Sequence, residues 1–178
     1  MRHIIVALAL ITASPAFAAD RELDTLFSAL AKTQTADDAK PIEEQILAKF
    51  LVSGSPTVDL LMTRAAAALN GDNRFIARRL IDDVTKIAPN YAEAWRLRGK
   101  LEALDSDDTG AVTSLSKAVA LNPREFAAQA ELGQVLLQDG DKKDALASLR
   151  KALSLDPHYD NLDRLVERLA REVEGEKI

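Results

Sequence analysis

The chain of 178 residues contains no cysteine. That absence excludes disulfides, thiolate metal sites and cysteine nucleophiles together, and also a lipid-anchored bacterial lipoprotein, which needs a cysteine at its cleavage point. Aromatic residues are scarce, 4% of the chain against 47% hydrophobic overall, so alanine, leucine, isoleucine and valine must fill any core. Such a composition suits closely packed helices, because alanine is the best helix former. Seven glycines and six prolines are too few for a many-turned β-sandwich. Histidine is almost missing as well. Only His3 and His158 occur; the mature chain keeps His158 alone, and a Ser-His-Asp or His–metal site there needs further partners converging in space, none of them a second histidine.

An excess of basic charge is also lacking. The 28 acidic residues outnumber the 23 basic ones, for a net charge of −5, which argues against general nucleic-acid binding, because that needs a basic footprint to displace counterions. Long apolar runs are confined to the start. Arg2 and His3 precede the unbroken run Ile4–Ile11; Thr12–Pro15 interrupt it, and Ala16-Phe17-Ala18 follows with small residues at −3 and −1. This is the layout of a secretory signal peptide over residues 1–18, cleaved after Ala18. A membrane span needs about 20 apolar residues, and Pro15 comes too soon. Cleavage would leave 22 basic against 28 acidic residues, a mature net charge of −6. No second run of that kind follows, so no transmembrane segment is expected in the mature chain. Export without cysteine fits a Gram-negative periplasm better than an animal secretory pathway.

What the chain does have is a repeat with a 34-residue step. Pro89, Pro123 and Pro157 are 34 apart, as are Ala77/Ala111/Ala145, Ile81/Leu115/Leu149, Val84/Ala118/Ala152, Ile87/Leu121/Leu155, Ala65/Gly99/Gly133 and Asn73/Asp107/Asp141. Periods of this length signal stacked supersecondary units. The Ala65/Gly99/Gly133 and Ala77/Ala111/Ala145 positions predict close helix crossings. Asn73, Asp107 and Asp141 are good N-caps for a second helix. The Ile81, Val84 and Ile87 series predict one apolar stripe, and each proline ends a hairpin, because the residue before proline avoids the helical region.

The third unit, "FAAQAELGQVLLQDGDKKDALASLRKALSLDP", and the second, "AEAWRLRGKLEALDSDDTGAVTSLSKAVALNP", resemble the tetratricopeptide-repeat (TPR) family, whose pattern runs W-x-x-L-G-x-x-Y, A, F, A, P. The first unit departs from it: Gly71 falls one place early and Arg64 replaces the usual leucine. The resemblance implies an all-α, right-handed superhelix of antiparallel helical hairpins. Residues 58–91, 92–125 and 126–159 form three repeats, and residues 160–178 hold a C-terminal capping helix and tail. By the same step Phe27, Ala31, Leu47 and Phe50 correspond to Leu61, Ala65, Ile81 and Val84. Residues 19–57 are therefore expected to be a degenerate preceding hairpin, with Pro41 near the start of its second helix. The stretches "SGSPTVDLLMTR" and "PNYAEAWRLRG" further resemble short exported TPR proteins of alphaproteobacteria, which implies a periplasmic role in maintaining the cell envelope.

No catalytic set, cofactor or metal site is predicted. Neighbouring acids such as Asp82-Asp83 and Asp107-Asp108 point about 100° apart on a helix, and His158 is expected to be solvated. Binding is the better expectation, in a concave groove suited to a peptide or helix of an envelope protein. The family pattern implies groove positions at Asp59, Met62, Ala66, Leu69 and Asn70; at Glu93, Arg96, Lys100, Ala103 and Leu104; and at Ala127, Ala130, Gln134, Leu137 and Gln138. The strongest candidates are Met62, Asn70, Glu93, Arg96, Lys100, Gln134 and Gln138. Arg96 and Lys100, one turn apart, could converge on a ligand carboxylate; alternatively they are solvated or pair with Glu93. The chaperone-tail clamp of other TPR proteins is not expected, since Thr63, Leu97 and Glu131 occupy the position of its asparagine. Trp95 is expected in the core. A different class of function remains open: a structural protein that meets peptidoglycan or a membrane surface through a convex basic cluster, Arg74, Arg78 and Arg79.

Overall fold

The computed structural model describes residues 15–175, with side chains from Asp20 onward. The predicted leader therefore lies largely outside the described residues, and its cleavage point falls within the first helix. Among the described residues there are nine α-helices and no strands: α1 (Pro15–Leu30), α2 (Ala36–Phe50), α3 (Pro56–Asn70), α4 (Arg74–Ile87), α5 (Ala92–Leu104), α6 (Asp108–Leu121), α7 (Phe126–Gln138), α8 (Lys142–Leu155) and α9 (Asp163–Glu174), with a 3₁₀ turn at Tyr159–Asn161. The fold is the expected all-α superhelical stack.

Local chemistry fixes the hairpin ends. Asn73, Asp107 and Asp141 each accept a hydrogen bond from the amide three residues on, at 3.2, 3.0 and 3.1 Å, and so cap α4, α6 and α8. Just before each cap one residue adopts positive φ: Asp72 (55°), Ser106 (61°) and Gly140 (91°). The turn needs a left-handed residue there, so the early Gly71 of the first repeat does not supply it and Asp72 takes the strain. Ala88, Asn122 and Asp156, each preceding a proline, leave the helical region and end α4, α6 and α8.

Helices pair as α3/α4, α5/α6 and α7/α8, and each pair packs on the next through α4/α5 and α6/α7. A Cβ on Gly99 would sit 2.6 Å from Leu115 Cγ, and one on Gly133 would sit 2.6 Å from Leu149 Cγ. Those leucines, Ile81, and the Ala77/Ala111/Ala145 series are fully buried. The stripe narrows at its end: Ile87 is exposed, because it lies at the last residue of α4. Trp95 is half-buried, its Nε1 donating to the Pro89 carbonyl with Arg98 over its ring; it braces the α4–α5 link and lies outside the main core. At the far end Leu162, just before α9, and Leu169 within it pack against α8, and α9 turns an ionic face outward.

The N-terminal hairpin departs from expectation. It is a helical hairpin, but the 34-residue register does not extend into it. Ala31 is exposed beyond the end of α1; Leu30, Ala39 and Ile46 are the buried positions. Thr35 caps α2, and Pro41 lies well inside that helix, beyond its first turn. Nor does α2 pack along α3 as a preceding repeat would. The hairpin instead joins Phe126, Ala127, Leu155 and Tyr159 of the third repeat. Consequently the upstream face of the first repeat stays open: Leu60 is 52% exposed, whereas Ala94 and Ala128, at the same step in the next repeats, are 0% exposed.

Candidate functional site

Helices α3, α5 and α7 present their equivalent faces to one side, and the seven candidate residues line two adjoining cavities there. The larger, ≈ 540 Å³, is lined by Met62, Asn70, Glu93, Arg96 and Lys100 together with Leu51, Asp59 and Leu69. The smaller, ≈ 340 Å³, is lined by Lys100, Gln134 and Gln138 with Ala103, Ala130, Glu131 and Tyr159. Lys100 belongs to both. Helix geometry explains the grouping, because residues three and four apart share a face. Met62 forms a buried floor; Asn70, Lys100 and Gln138 are exposed, and Gln134 is half-buried.

Arg96 is not available to a partner. Its side chain is 16% exposed, and it is held by three carboxylates. Nε and Nη2 donate to Glu93 at 2.7 and 2.6 Å, Nη1 donates to Glu131 at 2.7 Å, and Glu125 lies 3.1 Å from Nε. The expected convergence with Lys100 on a ligand carboxylate is thereby corrected: Glu125, just before α7, and Glu131 within it join Glu93 in neutralising the guanidinium. One cation cannot balance three buried anions. Burial, together with the neighbouring Glu93 carboxyl, pushes Glu125 up to about 9, so Glu125 is protonated near neutrality. Burial opposes ionisation of Glu93, but Arg96 prevails and holds it below the usual range. Burial also raises Glu131, whose Oε2 has no hydrogen-bond partner among the described residues. Lys100 forms no ion pair among the described residues and is the cation that faces the cavities.

The convex cluster is also largely compensated. Arg74 donates to the Leu104 carbonyl at 2.8 Å and pairs with Asp72 and Asp105, while Arg78 donates to Asp105 at 2.7 Å. These two arginines fasten α4 to the α5–α6 turn; only Arg79 of the three stands exposed without such a role, beside Asp82 and Asp83. His158 is corrected too. It is half-buried, with Nε2 3.1 Å from the Thr33 carbonyl, and it joins the first hairpin to the α8–α9 link.

Sequence reasoning passed over Tyr91, Glu125 and Tyr159. They are 34 apart, so the periodicity could have found them. Both tyrosines sit near the buried acids, and burial raises both hydroxyls, that of Tyr159 to about 12. Tyr91 Oη donates to the Leu51 carbonyl at 2.9 Å, pinning the end of the first hairpin.

A stack of capped hairpins with small residues at each crossing and a cavity-bearing inner face defines a helical-repeat protein of the tetratricopeptide type. A profile of the tetratricopeptide repeat matches residues 109–160 of the chain. A TPR repeat-containing protein of Rhizobium etli is 28% identical over 120 residues, 67% of this chain; the chain spans 59% of that relative's length. Among solved structures, the O-GlcNAc transferase of Thermobaculum terrenum matches 65% of this chain at 30% identity with a TM-score of 0.60, but the match spans only 22% of the transferase. The type III secretion translocator chaperone SycD of Yersinia enterocolitica matches 67% of this chain and 92% of its own, at 18% identity and a TM-score of 0.57, a likeness of fold.

Proposed function

We propose that the protein is a non-enzymatic scaffold of the periplasm that holds a segment of an envelope protein against the inner face of its repeats. The observation that carries this reading is the continuity of the two cavities: six residues from α3, α5 and α7 meet around one exposed cation, Lys100. An apolar floor at Met62 adapts to varied side chains, while Asn70, Gln134 and Gln138 supply amides able to pair with a peptide backbone. SycD offers a precedent for the mode of binding, because its structure contains a peptide of the translocator YopD. The leader-like residues 1–18 support export. The convex-surface alternative loses its main support, since Arg74 and Arg78 are committed to Asp105.

A photo-crosslinking amino acid at Asn70 or Gln138, both exposed, is expected to capture the same identified partner, whereas one at Lys143 on α8 is not. Equal capture from the two faces, or none from the inner face, overturns the scaffold reading. Fractionation with N-terminal sequencing tests export; a soluble periplasmic chain beginning at Ala19 is the expected result.

A further inference from the structure

The first hairpin neighbours the first repeat in sequence yet lies against the third in space. Phe27 meets Phe126 edge-on at 6.3 Å between centroids, and Phe126 in turn meets Tyr159 at 4.9 Å. Asp24 accepts from Arg124 Nη1 at 2.6 Å, and the same guanidinium lies 4.3 Å over the Phe27 ring. The surface so covered includes Ala127, a groove position by the family pattern that lines neither cavity, and Tyr159, which lines the smaller one.

Two observations mark this contact as that of a ligand. The end face of the first repeat, where a preceding repeat would stack, is left open at Leu60. The link from α2 to α3, residues 51–55, contains Gly54 at φ +82° with nothing within 4 Å of the Cβ it lacks. The hairpin is thus joined through a short link with open space at Gly54, which Tyr91 and Asp59 hold by hydrogen bonds to the Leu51 carbonyl and the Ser53 amide. It meets the third repeat through an apolar seam around Phe126, the Asp24–Arg124 ion pair, the Glu43–Asp156 contact and the His158–Thr33 contact.

We propose that the α1–α2 hairpin is an internal ligand of the third repeat, and that the partner of this surface is a helix bearing an acid one turn before a phenylalanine, which must displace the hairpin to bind. Asp24 and Phe27 are the template: the acid reaches Arg124 and the ring enters beside Phe126. This inference rests on the scaffold reading, and extends it by naming an occupant and a competitor.

A fluorescein-labelled peptide of residues 19–34, which carries Asp24 and Phe27, is the probe, and the full-length mature chain is its target. Wild type should bind it weakly, while the Asp24→Lys, Phe27→Ala chain, its hairpin released, should bind it about tenfold more tightly or better. Adding Arg124→Glu should remove that gain. Hydrogen exchange should show the amides of α1 and α2 accelerated in the released chain and slowed again by the charge swap Asp24→Arg with Arg124→Asp. Unchanged peptide affinity, or unaltered exchange in α1 and α2 with repeat helicity intact, overturns the proposal. Should the double variant lose repeat helicity, the same two measurements on Asp24→Lys alone decide, since Asp24 is exposed. Crosslinking from Asn70 and Gln138 does not depend on Asp24 or Phe27, so a failed scaffold and a failed internal ligand give different results.

Discussion

Glycine has opposite meanings at two kinds of position in this chain. At Gly133 the missing Cβ makes room for Leu149, whose Cγ would be only 2.6 Å away; Gly133→Ala is expected to destabilise by about 1–3 kcal/mol through overpacking. At Ser106 the backbone holds φ +61°, a conformation costing an L-residue about 1–2 kcal/mol. Ser106→Gly should therefore raise the urea midpoint by a correspondingly modest amount, and equal signs for the two variants would break the account. Arg96 is the residue on which the buried acids depend. Arg96→Gln leaves Glu93, Glu125 and Glu131 without their cation, and the expected loss is about 3–5 kcal/mol near neutral pH. Glu125 is already protonated near neutrality; acidification protonates Glu93 and Glu131 as well, so the deficit should shrink as pH falls from about 8 to about 5, as urea denaturation across that range can follow.

At the scale of elements, the hairpins of the repeats were legible, and so was the existence of the first hairpin, but its register and packing place were not. The caps at Asn73, Asp107 and Asp141, the close crossings at Gly99 and Gly133 and the proline stops all depend on neighbours within one hairpin, and the period reports them directly. The first hairpin takes its place from Arg124, Phe126 and His158, about a hundred residues away, and no local pattern encodes that. The same reason hid the fate of Arg96: Glu93 is one turn away, but Glu125 and Glu131 come from the start of α7, about thirty residues on. The docked hairpin also carries a titratable contact. Burial, reinforced by Asp156, pushes Glu43 up to about 7 from an ordinary 4.5, and burial raises Asp156 as well. His158 and Lys40 favour ionisation, and Asp37, Tyr159, Asp160 and Asn161 complete the surroundings. A carboxyl with a raised value stabilises the docked state fully below its ordinary value and loses that contribution as pH rises through the raised one. Docking should therefore weaken from about pH 5 to about pH 8, and Glu43→Gln should flatten the trend, as read by exchange of the α1 amides.

Across the whole molecule, stability should grade along the chain, because in a repeat stack each unit rests on its neighbours. The α5–α8 block has partners on both sides and holds the tightest crossings, whereas α1–α2 depends on one face and α9 mainly on α8. Native-state hydrogen exchange should accordingly find the slowest amides in α5–α8 and a separate, earlier opening of α1–α2. A single rate for all helices would mean that the hairpin unfolds with the stack and is no independent unit.

The hinge at Gly54 has a consequence for any measured affinity. An attached segment competes at an effective concentration set by its tether, and dilution never removes it. If the hairpin covers its surface 99% of the time, a partner there binds about a hundredfold more weakly than to the bare repeats. Residues 52–55 would then act as a sensitivity control: lengthening or stiffening that short link would retune the scaffold without replacing any residue that lines the two cavities.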